Sequence, residues 1–144
     1  MKIDSGILIG VYRMCKDLDR ETAAICAAHG LTYPQFQVLE ALMHKGSLTV
    51  GQIKSAILGS SGTTPVIVDN LCKKGLARRV KDPADLRKSI VELTDEGRVL
   101  IERVYPENER MFTEKFGIWT DEEKRELLRL IGRYRHAFGK PTDG

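Results

Sequence analysis

The stretch that decides the fold is SSGTTPVIVDNLCKKGLARR, Ser60 to Arg79. It opens on small uncharged residues, carries Pro65 where a first helical turn tolerates it and reaches Gly75 as a stop signal. This predicts a short helix starting between Ser61 and Thr63. At about 100° per residue, Thr64, Ile67, Val68, Leu71 and Gly75 gather on one side, which is the core side. The other side carries Gly62, Pro65, Val66, Asp69 and Lys73, flanked by Thr63 and Asn70. Val66 there serves no core, so the face is shaped to meet another surface. Small residues permit close approach, N–H groups at the helix start favour phosphate, and Thr, Asn and Val suit base edges and the thymine methyl. The expected surface is the major groove of DNA.

The flanking sequence supports that reading. Upstream, Leu8, Val11, Cys15, Leu18, Thr22, Ile25 and His29 recur at spacings of three and four, one stripe of a helix from Ile3 to about Ala28. Thr32 with Gln35, and Thr49 with Gln52, match capping boxes that open two further helices. The first of these has Pro34 in its first turn, Phe36, Leu39 and Met43 on one face and Gly46 at its end; the second closes near Gly59. Downstream the period changes. LARRV and KSIVELT read as strands joined by KDPADLR as a turn, with Val91 and Leu93 on one face. A long helix from Thr94, bent near Pro106, and a last helix capped by Thr120 and Glu123 complete the chain.

Helix, turn, helix and basic hairpin, in that order, is the plan of a winged helix-turn-helix. The fold class is mainly α with a small β-hairpin wing (α+β). In such a plan Arg87 at the hairpin turn reaches the minor groove, while Arg78, Arg79, Lys81 and Lys88 meet phosphates. Charge is distributed accordingly. The chain of 144 residues has a net charge of +3, yet Lys73 to Val91 holds seven basic and two acidic residues and the remainder is net negative. A charge run of this kind also fits a solvated face. With 42% hydrophobic and 30% charged residues, the chain reads as one soluble domain; it lacks the ~18-residue apolar run of a membrane span. The amino terminus shows no secretory signal, and Cys15, Cys26 and Cys72 make an odd count without a C-x-x-C pair, so cytoplasmic, reduced thiols are expected.

The run DPADLRKSIVELTDEG, Asp82 to Gly97, resembles the wing signature of the MarR (multiple antibiotic resistance regulator) family of bacterial transcription factors: Asp, Asp-x-Arg, strand, Leu-Thr-x-x-Gly. The preceding stretch resembles that family's recognition helix and first wing strand. The resemblance implies a wing-tip role for Arg87, with Asp82 or Asp85 as carboxylate buttress, and a groove lined by Ser61, Thr63, Thr64, Pro65, Val66 and Asn70. It also implies a homodimer built from N- and C-terminal helices, about 3–29 and 95–138, around a DNA-binding part at about 31–93. Such a dimer binds a pseudo-palindromic operator, commonly as a repressor. Leu86 stands where many members carry a second arginine, and Asp69 and Asn70 where many are basic. Both departures lower the expected non-specific affinity.

The family releases DNA on binding a small, often aromatic ligand or on thiol oxidation. The resemblance implies a pocket that Tyr12, Arg13, Cys15, Phe36, Gln37 and Met43 could line, although core or interface roles fit the same residues. In the hydroperoxide-sensing branch tyrosines follow the first-helix cysteine about four and fourteen residues later; here Asp19 and His29 replace them, so Cys15 reads as a structural, buried thiol. Cys26 and His29 form one isolated pair, too little for a metal, and no cofactor is expected. No phosphate loop, H-E-x-x-H or nucleophile elbow is present, so an enzyme is not expected. The alternative is a winged helix that binds protein instead of DNA.

Overall fold

The computed structural model describes residues 2–57 and 63–139. The chain up to Glu109 forms one compact unit and the chain from Arg110 onward a second. The elements are α1 (Ile3–Ala28), α2 (Tyr33–Lys45), α3 (Val50–Ala56), α4 (Thr64–Lys73), β1 (Ala77–Asp82), β2 (Asp85–Leu93), α5 (Asp95–Phe116) and α6 (Asp121–Phe138). This is the expected mainly helical winged architecture. Among the described residues, no helix is long and apolar enough to cross a membrane.

Local chemistry sets the helix starts. Thr32 with Gln35, Thr49 with Gln52 and Thr120 with Glu123 each form reciprocal capping boxes, satisfying N–H groups that the first turn leaves without intrahelical partners. α3 closes at Ala56; the expected end near Gly59 lies outside the described residues.

α2 occupies the centre of the first unit, packing against α1, α3, α4 and β2. Phe36, Val38, Leu39 and Leu42 are all at most 1% exposed, joined by Cys26, Ile53, Val68, Leu71, Val91, Ile101 and Val104 in one core. The narrow stripe of Phe36, Leu39 and Met43 expected from periodicity is therefore too small, because a central helix is buried on several sides. α1 is the opposite case. Thr22 and Cys26 are buried, whereas Leu8 is 70% and Val11 50% exposed, and Cys15 is exposed. The expected burial of Cys15 is thus corrected: the amino-terminal half of the α1 stripe is left uncovered among the described residues.

The wing also differs from expectation. Its turn is only Pro83–Ala84, so both strands run further than LARRV and KSIVELT. Asp82 pairs with Asp85 but Lys81 with Ser89, and the excess residues of β2 form a bulge. At its root, Leu48 and Val91 exchange backbone hydrogen bonds of 3.0 and 2.7 Å, anchoring the hairpin to the segment before α3.

One junction joins α4, the wing and α5. Gly75, at φ 74°, ends α4 in a Schellman turn: its N–H donates to Cys72 O, and the Leu76 N–H donates to Leu71 O. The Thr94 hydroxyl donates to Gly75 O at 2.6 Å and accepts from the Gly97 N–H at 3.0 Å. Gly97 is required by contact, since a β-carbon there would collide with the Leu76 carbonyl. Gly97→Ala is expected to destabilise the fold by about 1–3 kcal/mol in urea unfolding through overpacking. Gly51→Ala, in α3 with only ordinary contacts around the added carbon, is expected to be neutral or stabilising by up to about 1 kcal/mol.

Candidate nucleic-acid interface

α4 presents two chemically distinct sides. Ile67, Val68 and Leu71 are buried, while Thr63, Pro65, Val66, Asp69, Asn70 and Lys73 are exposed, Val66 by 55%. The Thr63 side chain makes no capping bond; its carbonyl accepts from the Val66 and Ile67 N–H groups. Thr64 is the exception among the expected groove residues. It is 2% exposed on the core side, and its hydroxyl has no hydrogen-bond partner among the described residues. The helical period that aligns it with Val68 and Leu71 turns it away from the outer face. Ser61 and Gly62 lie outside the described residues.

The bulge in β2 explains why Arg87 reaches outward. Its side chain is 92% exposed, and its Nε and Nη2 donate to the two Asp85 oxygens at 3.1 and 3.4 Å. The Arg87 N–H also donates to Asp85 Oδ1. Arg87 holds the Asp85 carboxyl below its ordinary range through these side-chain and backbone hydrogen bonds. Of the two buttresses left open by the sequence, Asp85 is the one in contact. Asp82 instead accepts from the Ala84 N–H and shapes the turn.

The other basic residues divide by hairpin face. Arg78 stands directly across from Glu92 on the outer face and donates to it at 2.5 Å, which holds the guanidinium above its ordinary range. Arg79 stands across from Val91 on the inner face and reaches back to Asp69 of α4 at 2.7 Å. Lys81 and Lys88 are exposed further along the wing. Lys74 is drawn away to donate to Gly30 O and Gln35 Oε1. Neither the role of Glu92 nor the pairing of Asp69 is marked in the sequence. Cross-strand register would have revealed Glu92, but a seven-residue turn hides that register.

The residues expected near a ligand pocket lie on α1 and α2. Phe36 and Gln37 are buried in the core, Met43 packs partly against it, and Tyr12, Arg13 and Cys15 are exposed on α1. A shallow, open depression lies elsewhere, lined by Asp95, Glu96, Val99, Leu100 and Arg103 at the start of α5. Burial pushes the Cys26 thiol up to about 11, so it is an inert core group at neutral pH.

Comparison with known proteins agrees with this geometry. The MarR family model matches residues 29–88. The HTH-type transcriptional regulator MhqR of Bacillus subtilis (strain 168) is 34% identical over 107 residues, covering 72% of this chain and 74% of that protein. A MarR family transcriptional regulator from Silicibacter pomeroyi DSS superposes with a TM-score of 0.80 at 25% identity, over 96% of this chain and 93% of that one. A cysteine-to-serine mutant of MarR from Escherichia coli, complexed with operator DNA, superposes with a TM-score of 0.78 at 24% identity, over 92% and 94% of the two chains.

The Asp85–Arg87 latch has a defined pH dependence. A carboxyl lowered in the folded state contributes fully above its unfolded pKa, and that contribution is lost as pH falls through the lower folded value. In Arg87→Ala, the Asp85 titration followed by carboxyl 13C NMR is expected to move up toward the ordinary aspartate value of about 3.9.

Proposed function

The chain belongs to the MarR family and is a DNA-binding transcriptional regulator, not an enzyme; we propose that it acts in the cytoplasm as a homodimeric repressor of a pseudo-palindromic operator. The observation that carries this reading is the placement of Arg87. A bulge throws it clear of the wing, and Asp85 fixes its direction. Beside it, α4 offers Thr63, Pro65, Val66 and Asn70 to the major groove and Lys73 to the backbone. Arg78, Arg79, Lys81 and Lys88 supply phosphate contacts along the wing, while Asp85 serves as support.

Dimerisation follows from apolar surface that neither unit uses internally. On α1, Ile3, Ile7, Leu8, Val11 and Tyr12 are 50–82% exposed; on α6, Leu128, Leu130, Ile131, Tyr134 and Phe138 are 44–74% exposed. Such surface on a monomer marks an interaction site. Two copies joined through these helices would present two recognition helices to half-sites about one DNA turn apart. Release of the operator would come from a small, often aromatic ligand or from thiol oxidation.

The test is fluorescence anisotropy with labelled DNA from upstream of the protein's own gene, against scrambled DNA, at several salt concentrations. Salt-dependent preference for the upstream DNA is expected, with Arg87→Ala weakening it roughly tenfold. Equal binding to both DNAs overturns self-regulation. If no other genomic fragment is selected either, a protein-binding winged helix takes its place. Sedimentation is expected to give twice the chain mass, and Leu8→Asp, which puts a charge in the α1 patch, to shift the protein toward monomer and weaken operator binding in parallel.

A further inference from the structure

The ion pair between Asp69 and Arg79 links the recognition helix to the wing. Asp69 lies one turn after Val66 and one turn before Lys73, in the middle of the outer face of α4. Its Oδ1 accepts from Arg79 Nη2 at 2.7 Å, and the Asp69 side chain remains 55% exposed. An acidic residue is costly at that place, because phosphates on both sides of a groove repel it. The paired guanidinium offsets this charge and holds the carboxylate in one orientation. Arg78 has no such part, since Glu92 engages it on the opposite face of the hairpin.

A carboxylate brings acceptors only. In the major groove, donors are the N4 amino group of cytosine and the N6 amino group of adenine, and adenine places its N7 acceptor beside N6. A carboxylate therefore fits cytosine and is repelled beside adenine. We propose that Asp69, positioned by Arg79, reads the N4 amino group of a cytosine in each operator half-site and is a specificity determinant of this recognition helix. The inference rests on α4 being the helix that enters the groove. Asp69 lowers affinity for DNA in general and restores it only where the cytosine is present.

The test is selection from a randomised duplex library by the full chain and by Asp69→Ala, Asp69→Asn and Arg79→Ala, with thermal melts reporting folding. The wild type is expected to enrich a cytosine at one symmetric position per half-site. Changing that C·G pair to T·A should weaken the wild type about five- to a hundredfold. Asp69→Ala should bind both duplexes equally, and Arg79→Ala should show a reduced preference. Asp69→Asn should shift the position toward adenine, whose N6 and N7 match a side-chain amide. An unchanged consensus in a folded Asp69→Ala overturns the inference, as does tighter binding to all duplexes with the same consensus, which would make Asp69 a charge brake alone. A wild type that enriches no sequence overturns the operator reading and this inference with it.

Discussion

The Thr94 hydroxyl stands where three elements meet, and the interface depends on it. By donating to Gly75 O and accepting from the Gly97 N–H, it fastens the start of α5 to the end of α4. The Thr94 N–H donates to Leu76 O, so the last residue before α5 also pairs with the residue just before β1. Backbones can come this close only because residue 97 has no side chain. The second anchor is the exchange between Leu48 and Val91, which ties the wing root to the turn before α3. Together these two anchors fasten the root of the wing to the end of α4, the start of α5 and the turn before α3.

Electrostatics on that surface give direction more than strength. Arg78, Arg79 and Arg87 each have a carboxylate partner, respectively Glu92, Asp69 and Asp85. Lys74 is held by the Gly30 carbonyl and Gln35. Lys73, Lys81 and Lys88 remain exposed. Exposed ion pairs stabilise a fold by at most about 1 kcal/mol each, so their value lies elsewhere. They hold long side chains in one orientation and offset positive charge along the hairpin. A formal excess of positive charge between Lys73 and Val91 thus overstates the free field.

Much of this was legible in the sequence because capping chemistry is local. Three Thr-x-x-Gln/Glu boxes located helix starts without tertiary information, and the α4 wheel separated Ile67, Val68 and Leu71 from Val66 correctly. What escaped depended on distant partners. The breadth of α2 burial comes from neighbours on several sides, which a single-helix pattern does not contain. The exposure of Cys15 shows the reverse: an amphipathic stripe states that a face wants cover, not that the same chain supplies it. The wing register failed for a different reason. Pro and the two aspartates in KDPADLR favour a turn without fixing its bounds, so composition could not show that only Pro83 and Ala84 make it while β2 absorbs the excess as a bulge.

The same dependence on distant partners links the outer helices to the recognition helix. The Thr22 hydroxyl of α1 donates to Asn108 Oδ1 of α5 at 2.9 Å, with both residues buried. At the end of α1, His29 Nε2 lies 2.7 Å from Glu107. The adjacent Gly30 carbonyl receives Lys74 from the last turn of α4. Separating α1 from α5 therefore leaves a buried polar group without its partner, at a cost of about 1–3 kcal/mol. The turn that ends α1 is also the one that holds the end of α4, through Lys74. The bonds from Thr22 to Asn108, from His29 to Glu107 and from Lys74 to Gly30 thus form one set of contacts running from the second half of α1 to the end of α4.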